Sequence, residues 1–170
     1  IMKIKIHTFH AFANDYLTDA GLVSGEIVGN NFLRYSILQS FIDNKALTYG
    51  KSYIVQTIMP KVETAIRYIK NFGITPDKID LNKTAKAIEV LHKPTPAYSK
   101  ADMKAFLKYF VDAYKHYEDS KTDVIDYSDM LLTFIEKFQG EKYQHVLVDE
   151  MQDMNAVSYT HLTLPTNREV

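Results

Sequence analysis

Two stretches of β-type sequence stand far apart in this chain, and nearly everything between them has a helical period. KIKIHT (residues 3–8) alternates apolar and polar side chains, and YQHVLV (143–148) closes on an apolar run; about 130 residues separate the two. Two short strands buried in no wider sheet are too small to be stable. They therefore read as pieces of a larger parallel sheet, with the helices inserted between them. The expected fold class is mainly α: a helical insert between two strands that are remnants of a parallel sheet.

The helices can be placed one by one. Phe9, Phe12, Ala13 and Tyr16 recur at helical spacing behind the first strand, and Gly21 is a stop. Residues 22–30 are glycine-rich and read as loop. NNFLRYSILQSFIDN reads as a helix capped by Asn30 or Asn31. A helical stretch from Ser52 to Asn71 contains Pro60, which is expected to end or kink it. Thr75-Pro76 and Asp80 to Asn82 open two shorter helices, the second running to about His92, and KPTPAYS (93–99) is a loop. Residues 100–118 place Met103, Phe106, Leu107, Phe110, Val111, Tyr114 and Tyr117 on one stripe. A last helix spans about Tyr127 to Phe138, ended by Gly140.

Composition narrows the function classes. The chain has no cysteine, which removes disulfides and thiolate-ligated zinc and suits a reducing, cytoplasmic setting. No window approaches the roughly 20 apolar residues of a membrane span, and the start lacks the apolar core of a signal peptide, so no membrane partner is expected. The net charge is −1, but it is unevenly spread. Residues 61–115 hold eleven basic and six acidic side chains, whereas residues 116–170 hold four basic and eleven acidic ones. A basic middle beside an acidic end fits a polyanion surface next to a metal site, or simply solvated lysine-rich helix faces.

The acids at the end of the second strand carry the chemistry. In VLVDEMQDMN, an apolar strand delivers Asp149 and Glu150, and Asp153 follows. Neighbours on a strand face opposite sides, so both acids serve one site only where the strand ends, as it does here. One carboxylate can hold Mg²⁺ and the next can deprotonate an attacking water.

The same segment resembles the DExx box (Walker B) of superfamily 1 helicases of the UvrD/Rep type, close to ILVDEFQDTN. Asp149, Glu150, Gln152, Asp153 and Asn155 match, with Met151 and Met154 in place of Phe and Thr. HTFHAF (7–12) resembles the TFHSF motif of that family, and DYSDMLL (126–132) resembles its DFDDLL segment. The resemblance implies a P-loop NTPase using ATP and Mg: Asp149 and Asp153 on the nucleotide and its Mg²⁺, Glu150 as general base, Gln152 as γ-phosphate sensor. It also implies that Thr8, Phe9 and His10 line a single-stranded DNA path. Asp126 and Asp129, on a leucine-rich helix, are expected to cap or hydrogen-bond rather than catalyse. Residues 1–20 and 141–157 would be remnants of the 1A motor domain, residues 21–140 a helical 1B-like subdomain, and residues 158–170 a non-native tail.

A complete phosphate loop, GxxxxGK[ST], is missing: Gly50-Lys51-Ser52 supplies only its last three letters, with Lys45 where the first glycine belongs. The chain is thus expected to be a middle fragment of an ATP-dependent 3′→5′ DNA helicase, inactive alone. Its partners would be single-stranded or partially duplex DNA and the remaining helicase domains. Three alternatives stand beside this reading: a stand-alone DNA- or protein-binding helical module, gripping through Lys61, Arg67, Lys70, Lys78, Lys83, Lys86 and Lys93; part of a RecB/AddA-like helicase–nuclease; and a metal-dependent nuclease built on Asp126, Asp129, Asp149, Glu150 and Asp153.

Overall fold

The computed structural model describes residues 6–22, 25–43, 50–91, 100–139, 147 and 149. The described residues are mainly helical, with a two-stranded parallel sheet. In order they form α1 (Phe9–Asp19), β1 (Glu26–Ile27), α2 (Asn30–Asp43), α3 (Lys51–Tyr53), a π-helical segment (Ile54–Ile58) and α4 (Met59–Lys70). A 3₁₀ turn (Pro76–Lys78), α5 (Leu81–Leu91), α6 (Lys100–Asp119), β2 (Val124–Ile125) and α7 (Tyr127–Lys137) follow.

These elements divide into two compact units. The first takes the residues up to Val28, Asn71–Gly73, and those from Asp123 on; the second takes Gly29–Lys70 and Ile74–Thr122. The edges of the second unit differ from the span 21–140 read from the sequence. β1, β2 and α7 pack with α1, because their apolar residues Ile27, Ile125, Met130, Leu131 and Phe134 share its cluster.

In the first unit, α1 buries Ala13 and Leu17 against Met130, Leu131 and Phe134 of α7. Phe9, Phe12 and Tyr16 add edge-on ring contacts to Phe134, with centroids 5.9, 5.5 and 5.6 Å away. Helix α1 stops as its sequence requires. Gly21 takes a positive φ of 65°, which a side chain would oppose. Leu22 N–H then reaches back to the Leu17 carbonyl at 2.8 Å, and Gly21 N–H to that of Thr18 at 3.0 Å, closing a Schellman turn.

The strand content departs from expectation. Ile6, His7 and Thr8 carry no strand, and neither does Leu147; residues 3–5, 143–146 and 148 lie outside the described residues. The two strands that do pair are β1 and β2, in register Glu26 to Val124 and Ile27 to Ile125; β1 lies within the stretch 22–30 that reads as loop, and β2 between two helices where no element is expected. Two residues per strand are too few for an alternation to be visible. Their approach depends on Gly25, where an added Cβ would lie 2.9 Å from the Asp123 carbonyl oxygen.

The second unit is built on α6, whose stripe is buried as the spacing predicts. Met103, Leu107, Phe110, Tyr114 and Tyr117 are all buried, and Phe106 and Val111 are half-buried. Leu33, Ile37 and Phe41 of α2 and Val62 and Ile66 of α4 complete the core with Ile54, Met59 and Ala85. Asn30 is the first residue of α2 rather than its cap. Pro60 does not end its helix, but the turns before it are distorted into a π-helical segment. Its ring would press on the carbonyl of Gln56, four residues back, and Gln56 lies within the π-helical segment, whose wider turn makes room. Asp80 caps α5 by accepting from the N–H groups of Asn82, 2.9 Å, and Lys83, 3.0 Å. The loop 93–99 and Gly140 lie outside the described residues.

Candidate nucleotide and nucleic-acid site

The residues singled out at the start of α1 all have structural partners in the first unit. Thr8 is the N-cap: its hydroxyl accepts from Ala11 N–H at 3.1 Å, satisfying one of the orphan donors of the first turn. Phe9 is half-buried and sits edge-on to Phe134. His10 is exposed and meets the edge of Tyr127, itself 54% exposed, at 5.5 Å. His7, also exposed, lies 3.6 Å from the Asp15 carboxylate. At the start of α1, His10 is thus exposed beside Tyr127, while Phe9 packs against Phe134. Tyr127 gave no signal in the sequence, because it reads as an ordinary helix start.

Asp126 and Asp129 form a reciprocal capping box on α7. Asp126 Oδ1 accepts from Asp129 N–H at 2.9 Å, and Asp129 Oδ2 accepts from Asp126 N–H at 3.1 Å. This is the capping role expected of acids on a leucine-rich helix. Beside them, Ser128 Oγ bonds Asn71 Oδ1 at 2.9 Å. Among the described residues, no group of three or more His, Cys, Asp or Glu side chains could hold a metal ion.

Of the strand-end acids, Asp149 is described: it lies at a bend and is exposed. Leu147, two residues earlier, is 97% exposed. Glu150, Gln152 and Asp153 lie outside the described residues. An exposed carboxylate at a chain bend fits Mg²⁺, which keeps several waters and takes only one or two protein carboxylates. The described part of Asp149 is compatible with that role, and ATP contacts would need further groups.

The basic middle of the chain is less available than its charge count implies. Lys70 is buried, its ammonium 2.7 Å from Glu118 Oε1, and Lys121 lies 2.7 Å from Glu118 Oε2. Both ammonium groups also lie over the Tyr117 ring, at 5.4 and 4.9 Å. Arg67 pairs with Glu63, one turn away on α4. Lys61, Lys78, Lys83 and Lys86 are exposed, and Lys93 lies outside the described residues. Near them two carboxyls are held below the ordinary range: Asp77 mainly by the Thr75 hydroxyl, and Asp80 mainly by Lys83 N–H.

The family description of the UvrD/REP helicase N-terminal domain matches residues 1–169. A mainly helical chain that carries the motif residues in the order TFH, DYSDMLL, VLVDEMQD, and matches along nearly all its length, belongs to the UvrD/REP helicase family. The match extends over residues 158–169, the stretch set apart above as a tail. No curated protein and no solved structure matches the chain. No described helix is long and apolar enough to cross a membrane.

Proposed function

We propose that these residues contribute the hydrolytic acids and nucleic-acid-facing helices of an ATP-driven DNA helicase that moves 3′→5′ along single strands. The observation that carries this is VLVDEMQDMN, where an apolar segment ends on Asp149 and Glu150 in a chain of the UvrD/REP family. In this reading Asp149 and Asp153 serve the nucleotide, with Asp149 on its Mg²⁺, an ion that would offset charge on the phosphates. Glu150 accepts the proton of the attacking water. Gln152 senses the γ-phosphate position, and Thr8, Phe9 and His10 lie along the single-strand path. For Thr8 that path would pass its backbone, since its hydroxyl caps α1. Residues 1–20 and 141–157 belong to the 1A motor domain and residues 21–140 to a 1B-like insert.

These 170 residues contain no complete GxxxxGK[ST]. Without backbone N–H groups to wrap the phosphates and a lysine to neutralise them, they do not turn over ATP by themselves. Phosphate release measured on the 170-residue chain with Mg²⁺ and single-stranded DNA should stay at background. DNA-stimulated turnover that disappears in Glu150→Gln would overturn this inactivity. When the same residues are joined to a phosphate loop and a second motor domain, Glu150→Gln should abolish turnover while nucleotide binding persists. Unchanged turnover in that variant would refute the assignment of the base.

A further inference from the structure

Glu63 lies in the second unit with its side chain only 9% exposed, and it is held from two sides. Arg34 of α2 donates from Nε at 2.7 Å to one carboxylate oxygen, and Arg67 of α4 donates to the other. Stability alone gives little reason for this arrangement, since an apolar side chain in place of a buried ion pair is often neutral or stabilising. Two arginines on one carboxylate do accomplish something else. Each guanidinium has five N–H donors in a rigid plane, and the bonds to Glu63 take one from each. Arg34 and Arg67 keep 61% and 42% of their side-chain surface in solvent, so their outer edges remain accessible. Two positive charges and one negative leave the triad at +1. Each arginine is followed by an exposed tyrosine, Tyr35 at 69% and Tyr68 at 64%. Planar forks fit phosphate oxygens in pairs, and aromatic faces accept bases of any sequence.

We propose that Arg34 and Arg67, oriented by Glu63, form a phosphodiester-binding site for single-stranded nucleic acid on the α2–α4 face. Glu63 is the positioning residue: its negative charge strengthens binding by fixing the forks rather than weakening it by repulsion. The inference rests on the reading of the chain as part of a DNA helicase, and adds which side chains hold the strand and how. It also separates them from Lys70 and Lys121, whose ammonium groups are committed to Glu118.

The test is titration of a fluorescein-labelled oligodeoxythymidylate with the 170-residue chain over a range of salt. Arg34→Ala/Arg67→Ala should weaken binding about tenfold and lower the salt slope by about 1.4, two phosphates at roughly 0.7 each. Arg34→Lys/Arg67→Lys keeps both charges and the pairing with Glu63, so the fold survives; it should still lose several-fold, because an ammonium lacks the fork. Glu63→Gln raises the net charge by one and should nonetheless bind more weakly. Lys104→Ala, which removes an exposed lysine of α6, should fall short of the arginine variants in both affinity and slope. Binding at wild-type strength by the double-lysine variant, or tighter binding by Glu63→Gln, overturns the site, since charge alone would then explain retention. If the wild type and every variant bind equally, the site fails while the DNA-helicase reading stands. A wild-type chain with no affinity for the strand even at the lowest salt overturns both.

Discussion

The two compact units stabilise themselves by different means. The first, which carries the motif residues, rests on ring contacts: Phe9, Phe12 and Tyr16 meet Phe134 edge-on and Phe138 meets it tilted, with helix caps at Thr8 and Asp126. The second has a larger aliphatic core and, at its margins, acids each gripped by two cations: Glu63 by Arg34 and Arg67, Glu118 by Lys70 and Lys121. Motif residues in the first unit therefore double as packing and capping groups, so substitutions there mix function with stability. In the second unit Arg34 and Arg67 are organised around Glu63 with much of their side chains in solvent, and their roles can be dissected by exchanging one cation for another.

The sharpest way to break this contrast is Phe134→Ala. Removing the ring that the other aromatics share should cost about 3–5 kcal/mol. In hydrogen exchange read by mass spectrometry, α1 and α7 should lose protection while α2, α4 and α6 keep theirs. Uniform loss across both units would mean that they share one core. Glu118→Ala should do the reverse. It leaves Lys70 and Lys121, each with a side chain 6% exposed, without their carboxylate. The cost should be about 3 kcal/mol, the low end for a broken buried pair because Glu118 is itself partly exposed, with the exchange confined to the second unit.

Capping comes next in size. Asp126→Ala removes the acceptor for Asp129 N–H and should cost about 1 kcal/mol, seen as a lower denaturation midpoint of α7. Asp126→Asn, which keeps an acceptor oxygen, should recover most of that loss. Smallest of all is the pH response of α5. The folded state lowers the Asp80 carboxyl below its ordinary value, mainly through Lys83 N–H. Its contribution is therefore fully present above the unfolded pKa of about 3.9 and fades as pH falls through the lower folded value. Circular dichroism between pH 5 and 2 should show α5 fraying in this window, and Asp80→Asn should remove that dependence. An unchanged acid profile in the variant would show that the cap does not titrate there.

Much of the helical architecture was legible because the apolar period is long and strong. The stripe from Met103 to Tyr117 and the span 30–43 needed no tertiary information. The capping of α7 was readable from chemistry, since two acids on a leucine-rich helix need donors, and backbone N–H groups are the nearest. Other features were hidden for definite reasons. β1 and β2 are two residues each, shorter than one visible alternation. The π-helical segment before Pro60 reflects a steric clash with a particular carbonyl, which a periodicity test does not contain. Lys70 looked like one more solvated cation in a basic stretch; that Glu118, 48 residues away, neutralises it is a tertiary fact. For the candidate site, the acids of VLVDEMQD form a pattern of residue types whose family is supported by the match over residues 1–169. The work of Thr8 as a helix cap was not legible, because the motif presents it as a residue of the strand path, whereas the packing of Phe9 follows the helical spacing it shares with Phe12 and Tyr16.

The central proposal is that the start of α1 and Asp149 border one site, as they would at one edge of a motor sheet. With no native cysteine, the chain can be labelled site-specifically. The direct measurement is the spin-label distance between His10→Cys and Asp149→Cys, both at exposed positions. A short, narrow distance distribution is the expected result, since both positions would then border one site. A long or broad distribution would contradict it.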